Sequence, residues 1–339
     1  MSTSMAPQPS PQLFLQTINA HQKSEALKAA IELEVFTAIG EGKSTTAEIA
    51  DRINASERGT RILCDFLTIM GFLEKHNNRY KLTADSEVFL DKRSPAYLGN
   101  ATDFLLSPML TDGFKSLTEA VRKGGTASSG EGTVSAENPI WVKFARGMAQ
   151  MMAMPAEQVA KMVDPTADKK LKILDIAAGH GLYGIALAKN NPHAEVVAVD
   201  WPQVLDVARE NAEKAGVASR YSTIEGSAFD VDFSTGYDVV LLTNFLHHFD
   251  VPTNETLLRK VYRALADGGR AATLEFVPND DRISPPDAAG FSLVMLSGTP
   301  SGDAYIFAEL EKMFANAGFS RSSIEPVAGG IWHLVISEK

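Results

Sequence analysis

LDIAAGHGLYG, residues 174–184, decides the fold. An apolar strand runs into Asp175, a glycine turn follows at Gly179 and Gly181, and a helix opens near Tyr183. Glycine suits such a turn because a side chain would hold a ligand off the backbone. A second apolar run, VVAVD, ends at Asp200, 19 residues beyond Gly181. A carboxylate there can accept hydrogen bonds from both hydroxyls of a ribose. Around this stretch, strands and helices alternate: LKILDIA, helix, AEVVAVD, helix, SRYSTIEG, YDVVLLTNF, helix, RAATLEFV. The alternation predicts a parallel sheet with helices on both faces. The chain closes with a helix near ELEKMFANAGF and a strand pair, SSIEPVAG and IWHLVISEK, joined at Gly329-Gly330.

Upstream the pattern changes. Residues 1–10 are polar and Pro-rich and read as a disordered lead-in without the features of a signal peptide. Residues 11–40 read as helices, with Ile31, Leu33, Val35, Phe36 and Ile39 on a broad apolar face and Gly40 and Gly42 as the stop. Thr45 and Glu48 form a capping box, and Ser56 caps a helix that ends at Gly71. FLEKH and RYKLT then flank a turn at Asn77-Asn78. Helix, helix, helix, hairpin is the order of a winged helix, so 11–100 is expected to be a winged-helix-like domain. Two uses compete, DNA reading and subunit contact. With 11 Lys+Arg against 12 Asp+Glu over residues 1–100, the domain lacks the basic excess of a DNA reader. Residues 101–165 are expected to be a helical connector contributing to the substrate pocket. They include a Gly/Ser-rich segment, 121–138, that reads as a loop or linker turn. Residues 166–339 would form the catalytic domain.

The 339 residues suit two domains, and the net charge of -10 disfavours a nucleic-acid partner. No run of about 18 apolar residues suggests a membrane span. The single cysteine, Cys64, sits at helical core spacing and excludes an internal disulfide. These features point to the cytoplasm.

Two cofactors fit the glycine turn. Gly179-x-Gly181-x-x-Gly184 matches the dinucleotide fingerprint, which would favour NAD. Asp175 just before the turn instead suits the ammonium-bearing methionine part of S-adenosylmethionine and would repel a pyrophosphate. No second nucleotide-binding half follows, and the terminal hairpin resembles the last strand of methyltransferases.

LDIAAGHG, AVDWPQVL, EGSAFDVDF, YDVVLLTNFLHHFD, LADGGRAATLEFV and NAGF occur in that order. Together they resemble the small-molecule O-methyltransferases that include caffeate-type, hydroxyindole and bacterial tailoring enzymes. The resemblance covers roughly the whole chain. It implies a Rossmann-like domain with a seven-stranded, mostly parallel sheet, a dimerising winged-helix N-terminus, a homodimer and no metal. It places Asp175, Gly179 and Gly181 at the methionine part of the cofactor, Asp200 at the ribose, Trp201 beside the adenine, and Ala228 and Phe229 flanking the ring. Asn244 joins this cofactor set. Ser227 stands where the family usually has an acid, and Ala177 replaces its first loop glycine. His247 aligns with the family's base, and His248 with a position that is usually Asp. An imidazole with a pKa near 6.5 can take a proton from a phenol with a pKa near 10 as the methyl transfers. The acid that would orient this base is Ala304 here; Asp303 is displaced, and Glu275 of LEFV, at a strand end, could help.

The implied acceptor is a small aromatic or polyketide-like molecule. Its pocket is expected between the domains, apolar and lined by Trp141, Phe144, Met148, Met152, His248, Phe291, Met295 and Leu296. Competing expectations are N- or C-methylation, a hydroxylase- or decarboxylase-like reaction on the same fold, a ligand-sensing regulator, and an NAD enzyme. His21, His76, His193 and His333 are assigned to surface or core positions.

Overall fold

The computed structural model describes residues 9–128 and 130–339. The lead-in expected over 1–10 lies outside the described residues but for its last two positions, as does one residue of the 121–138 segment. The chain divides into two compact units, residues 1–102 and 103–339.

The first unit begins with α1 (Gln12–Ile18) and α2 (His21–Glu32), followed by α3 (Val35–Gly40), α4 (Thr46–Arg52) and α5 (Glu57–Ile69). Antiparallel strands β1 (Leu73–His76) and β2 (Arg79–Leu82) and helix α6 (Ala84–Phe89) complete it. Thr45 and Glu48 form the expected capping box of α4, and Ser56 Oγ accepts from the amide of Gly59 at the start of α5. Asn77 and Asn78 both take positive φ, as a two-residue hairpin turn requires. Cys64 is buried in a core with Phe36, Ile49 and Leu67. By contrast α1 buries none of its residues: Leu13 is 76% exposed and Phe14 64%.

The second unit opens with α7 (Thr102–Leu105), which spans the boundary, then α8 (Pro108–Lys115), α9 (Leu117–Lys123) and the 24-residue α10 (Ile140–Val163). The segment between α9 and α10 is tied down. The Thr126 amide donates to Thr299 O (2.8 Å), Thr133 Oγ1 to Gly298 O (3.1 Å), and Trp141 Nε1 to Thr133 O (3.0 Å).

The sheet follows: β3 (Leu171–Ile176), α11 (Leu182–Asn190), β4 (Ala194–Asp200), α12 (Pro202–Lys214), β5 (Tyr221–Glu225), β6 (Tyr237–Thr243), α13 (Val251–Ala264) and β7 (Leu265–Glu275). Helices α14 (Pro286–Gly298) and α15 (Phe307–Ala317) precede β8 (Arg321–Val327) and β9 (Trp332–Glu338). The seven strands lie in the order β5-β4-β3-β6-β7-β9-β8. All pairs from β5 to β7 are parallel, while β9 pairs antiparallel with both β7 and β8. β6 is buried at almost every position, as a strand covered on both faces must be. Leu174, Ile176, Val240 and Leu242 pack with Leu257, Leu258 and Val261 of α13 and Leu310, Met313 and Phe314 of α15. Helix α10 packs on α11 and α12.

From β3 the chain crosses towards β4, and from β6 towards β7. The neighbours β3 and β6 therefore flank the topological switch point, and a crevice opens beyond their carboxyl ends, where ligands of open α/β sheets bind. Asp175 and Asn244 stand on either side of it, with Asp200 at the end of β4 and Glu275 at the end of β7.

Candidate active site

The turn after β3 takes left-handed backbone at Ala177 (φ 53°), Gly179 (58°) and Gly181 (74°). Gly181 is required twice over, since a Cβ there would lie 2.6 Å from Tyr221 Oη and 3.0 Å from Ala208 Cβ. Ala177 shows that this backbone accepts an alanine where the family has glycine, at the strain cost of a left-handed residue, about 1–2 kcal/mol.

Two carboxylates hold the turn. Asp175 Oδ2 accepts from the Gly184 amide in the first turn of α11 (3.1 Å), a favourable place for an anion. Its Oδ1 is buried with no partner among the described residues, and burial raises its pKa to about 7. Asp200 accepts from the amides of Gly179 (2.8 Å) and Trp201 (2.7 Å), and burial raises it to about 6. Across the switch point, Asn244 Oδ1 is a second buried oxygen without a partner among the described residues. Orphaned oxygens on both sides of the crevice fit a cationic, hydrogen-donating group such as the ammonium of S-adenosylmethionine. A pyrophosphate would meet acceptors where it needs donors.

His247 lies on a single 3-10 turn, Leu246–His248, after β6. Glu275 shapes this turn. Its Oε1 accepts from the amides of Phe245 (2.9 Å) and Leu246 (2.8 Å), and its Oε2 stands 2.5 Å from His247 Nδ1. Both side chains are buried. Facing a carboxylate, Nδ1 carries the proton and donates, which leaves the Nε2 lone pair free as an acceptor. The carboxylate beside His247 is therefore that of Glu275. Ala304 is fully buried, and Asp303 turns to Arg282 instead.

An aromatic wall connects His247 to the glycine turn. Phe291 sets its ring edge-on to His247 (4.8 Å between centroids) and stacks on Phe276 (4.0 Å). His248 lies 4.3 Å from His247 and 5.2 Å from Trp141. Trp141 meets Phe144 (5.8 Å), and Phe144 stacks on His180 (5.9 Å). Trp141, Phe144, His248 and Phe291 are thus brought together with His247, all within the second unit. Met148, Met152 and Met295 are buried, and Met152 Sδ lies 3.6 Å from the Tyr183 hydroxyl.

The remaining candidates lie around the ends of β4 and β5. Ser227 Oγ accepts from the Phe229 amide, Ala228 belongs to the core under α13, and Phe229 meets Phe249 edge-on at 5.0 Å. Trp201 packs with Ala145, Val204 and Val207. The motif reading missed His180, whose Nδ1 accepts from the Leu182 amide (3.2 Å) and whose burial lowers its pKa to about 4. It occupies the variable position of the glycine fingerprint, where no residue type signals a role.

The sheet order, the antiparallel terminal hairpin and the crevice at the β3/β6 switch point define a class I methyltransferase. An O-methyltransferase domain matches residues 114–320, and an O-methyltransferase dimerisation domain matches 15–92. The chain is 30% identical to the 3-hydroxy-5-methyl-1-naphthoate 3-O-methyltransferase of Streptomyces sahachiroi, over 91% of this chain and 90% of that protein. Its structure matches that of a candidate O-methyltransferase from Nostoc punctiforme PCC 73102, with a TM-score of 0.95 and 56% identity over 98% of this chain and all of the other. It also matches PigF with SAH, with a TM-score of 0.86 and 27% identity over 98% of this chain and 100% of the other; the curated PigF sequence is from Serratia. The chain belongs to the S-adenosylmethionine-dependent O-methyltransferase family. Among the described residues no helix is long and apolar enough to cross a membrane.

Proposed function

We propose that this chain methylates a hydroxyl of a small aromatic or polyketide-like molecule, with His247 as general base and Glu275 as its orienting acid. The observation that supports this most directly is the buried His247–Glu275 contact of 2.5 Å beside the switch-point crevice. S-adenosylmethionine, when bound, supplies an electrophilic methyl group and a positive charge. Asp175 and Asn244 would receive its ammonium, and the turn at Gly179 and Gly181 would let it approach the backbone. On the acceptor side, His247 Nε2 takes the hydroxyl proton, and the Glu275 carboxylate stabilises the imidazolium that results. Phe291, Trp141 and Phe144 supply flat apolar surface and keep water from the base. Positioned general bases contribute about 10²–10⁴ in rate. Because the naphthoate enzyme is a relative, hydroxynaphthoates and other hydroxylated bicyclic arenes are the first acceptors to try.

We also propose a homodimer. Residues 15–92 match a dimerisation domain, and the exposed Leu13, Phe14, Leu15 and Ile18 of α1 provide apolar surface that a second copy would cover.

The test measures product formation with an accepted arene for wild type, His247→Ala and Glu275→Gln, with S-adenosylhomocysteine affinity measured alongside. Expected is a loss of at least about a hundredfold in kcat with cofactor affinity kept. Turnover of His247→Ala at the wild-type rate would refute the base assignment.

A further inference from the structure

The turn after β5 is held from two sides. Its amides converge on Ser227. The Ser227 Oγ accepts from the Phe229 amide (3.2 Å), and the Ser227 carbonyl accepts from the amides of Asp230 and Val231 (both 3.0 Å). Its next two carbonyls converge on Lys260 of α13, whose Nζ donates to Ala228 O (2.9 Å) and to Phe229 O (3.0 Å). The peptide joining Ala228 to Phe229 and the one joining Phe229 to Asp230 are therefore each gripped at both ends, by Lys260 at the oxygen and by Ser227 at the nitrogen. The charge of Lys260 is met by these two carbonyls and by the face of Phe233, 4.1 Å from Nζ to the ring centre. Burial lowers its pKa against the opposing pull of Asp230 and Asp232. Drawing an ammonium partly out of water is costly, and here the return is two charge-assisted hydrogen bonds to adjacent peptides of one turn.

We propose that Lys260, with Ser227 opposite it, clamps the turn that forms the adenine wall of the cofactor site, and that Lys260 is a positioning residue for S-adenosylmethionine. This rests on the placement of Ala228 and Phe229 beside the adenine. Ser227 has no carboxylate to offer the adenine amine, and its Oγ is engaged with the Phe229 amide. The fit of the ring then depends on the backbone shape of the turn. One side of Phe229 is set by Phe249 and Phe245. Lys260 sets the peptides on either side of it, from a helix that is itself packed on the sheet.

The test uses calorimetry with S-adenosylhomocysteine and with 5′-methylthioadenosine, which keeps the adenosine and lacks the amino-acid end. Lys260→Met keeps the stem beside Phe233 and removes the donors. It should weaken both ligands by the same factor, about tenfold, because the lost contacts lie behind the adenine that both share. Lys260→Arg, whose fork can reach both carbonyls, should return both affinities to within about threefold of wild type. Asp175→Asn should weaken S-adenosylhomocysteine alone, since the other ligand has no ammonium. Ser227→Ala should cost less in the Lys260→Met background than in wild type, because both residues grip the same peptides. Wild-type affinity in Lys260→Met, weakening of S-adenosylhomocysteine alone, an arginine variant no better than the methionine one, or full additivity with Ser227→Ala overturns the proposal. If Lys260→Met does not fold, Lys260→Gln, too short to span both carbonyls, is judged by the same criteria. Phe229→Ala tests the adenine placement itself. Undiminished binding of both ligands there refutes that placement, whereas weakened binding there beside wild-type binding in Lys260→Met refutes the lysine alone.

Discussion

Replacing Glu275 by glutamine changes one atom and inverts the chemistry of the site. In the wild type one carboxylate receives three N–H groups, from Phe245, Leu246 and His247. The amide oxygen of glutamine can keep the two backbone bonds, so the turn should hold its shape. The amide nitrogen then faces His247 Nδ1, and it can only donate. His247 must answer by moving its proton to Nε2, where the base lone pair had been. The stabilising charge behind the imidazolium disappears as well. Loss of one charge-assisted bond to His247 should cost about 1.5–3 kcal/mol of stability, partly recovered by the new neutral one. The rate should fall by about 10²–10⁴. Glu275→Ala should behave differently, because it strands two amides in the interior at about 1–3 kcal/mol each and unfolds several degrees lower. The assay pairs thermal unfolding with kcat on two phenols of different acidity. A more acidic phenol needs its base less, so the Glu275→Gln deficit should shrink with it. Wild-type kcat in Glu275→Gln, or an equal deficit on both phenols, would refute the orienting role.

Four further outcomes are expected. Asp175 and Asp200 are raised to about 7 and about 6 by burial, and Asp175, which would receive the ammonium, must ionise before that cation binds. S-adenosylmethionine affinity should therefore fall as pH drops from about 7.5 to 5.5, and calorimetry on Asp175→Asn should show a flatter profile. Their folded pKa values lie above the unfolded values, so the unliganded protein should lose stability as pH rises from about 4 to about 7, checked by thermal melts with and without cofactor. Gly181→Ala combines a strained left-handed φ with a 2.6 Å clash at Tyr221, and should lose cofactor binding as read by the absence of a ligand-induced shift in Tm. Leu13→Glu with Phe14→Glu should yield monomers in analytical ultracentrifugation; an unchanged dimer would move the interface away from α1.

The alternation of strands and helices, the glycine turn and the closing hairpin are local patterns, and each is visible in the chain as written. The meeting of His247 with Glu275 is legible only in part: the chain shows a carboxylate at a strand end but not that it reaches this histidine. They are 28 positions apart, and their contact depends on the β6–β7 register, which pairs Thr243 with Leu274 and leaves Glu275 one step beyond. The same limit hid the work of Asp200. Its spacing suggests a ribose ligand, while in the fold both oxygens also receive backbone amides of the turn and of α12. Ala177 reads as a mild substitution, and its left-handed φ shows what that substitution asks of the backbone. The 121–138 segment looks unanchored because its hydrogen bonds go to Gly298 and Thr299, far along the chain.

His247 and Glu275, the proposed base and its acid, stand just beyond two neighbouring strand ends, whereas Trp141 and Phe144 of the wall come from α10 and Phe291 from α14. Reactivity and taste are thereby housed in separate parts of the chain. A lineage can trade Trp141, Phe144 or Phe291 for other side chains and explore new substrates without retuning the proton relay. The sheet acts as a fixed anvil beneath interchangeable dies.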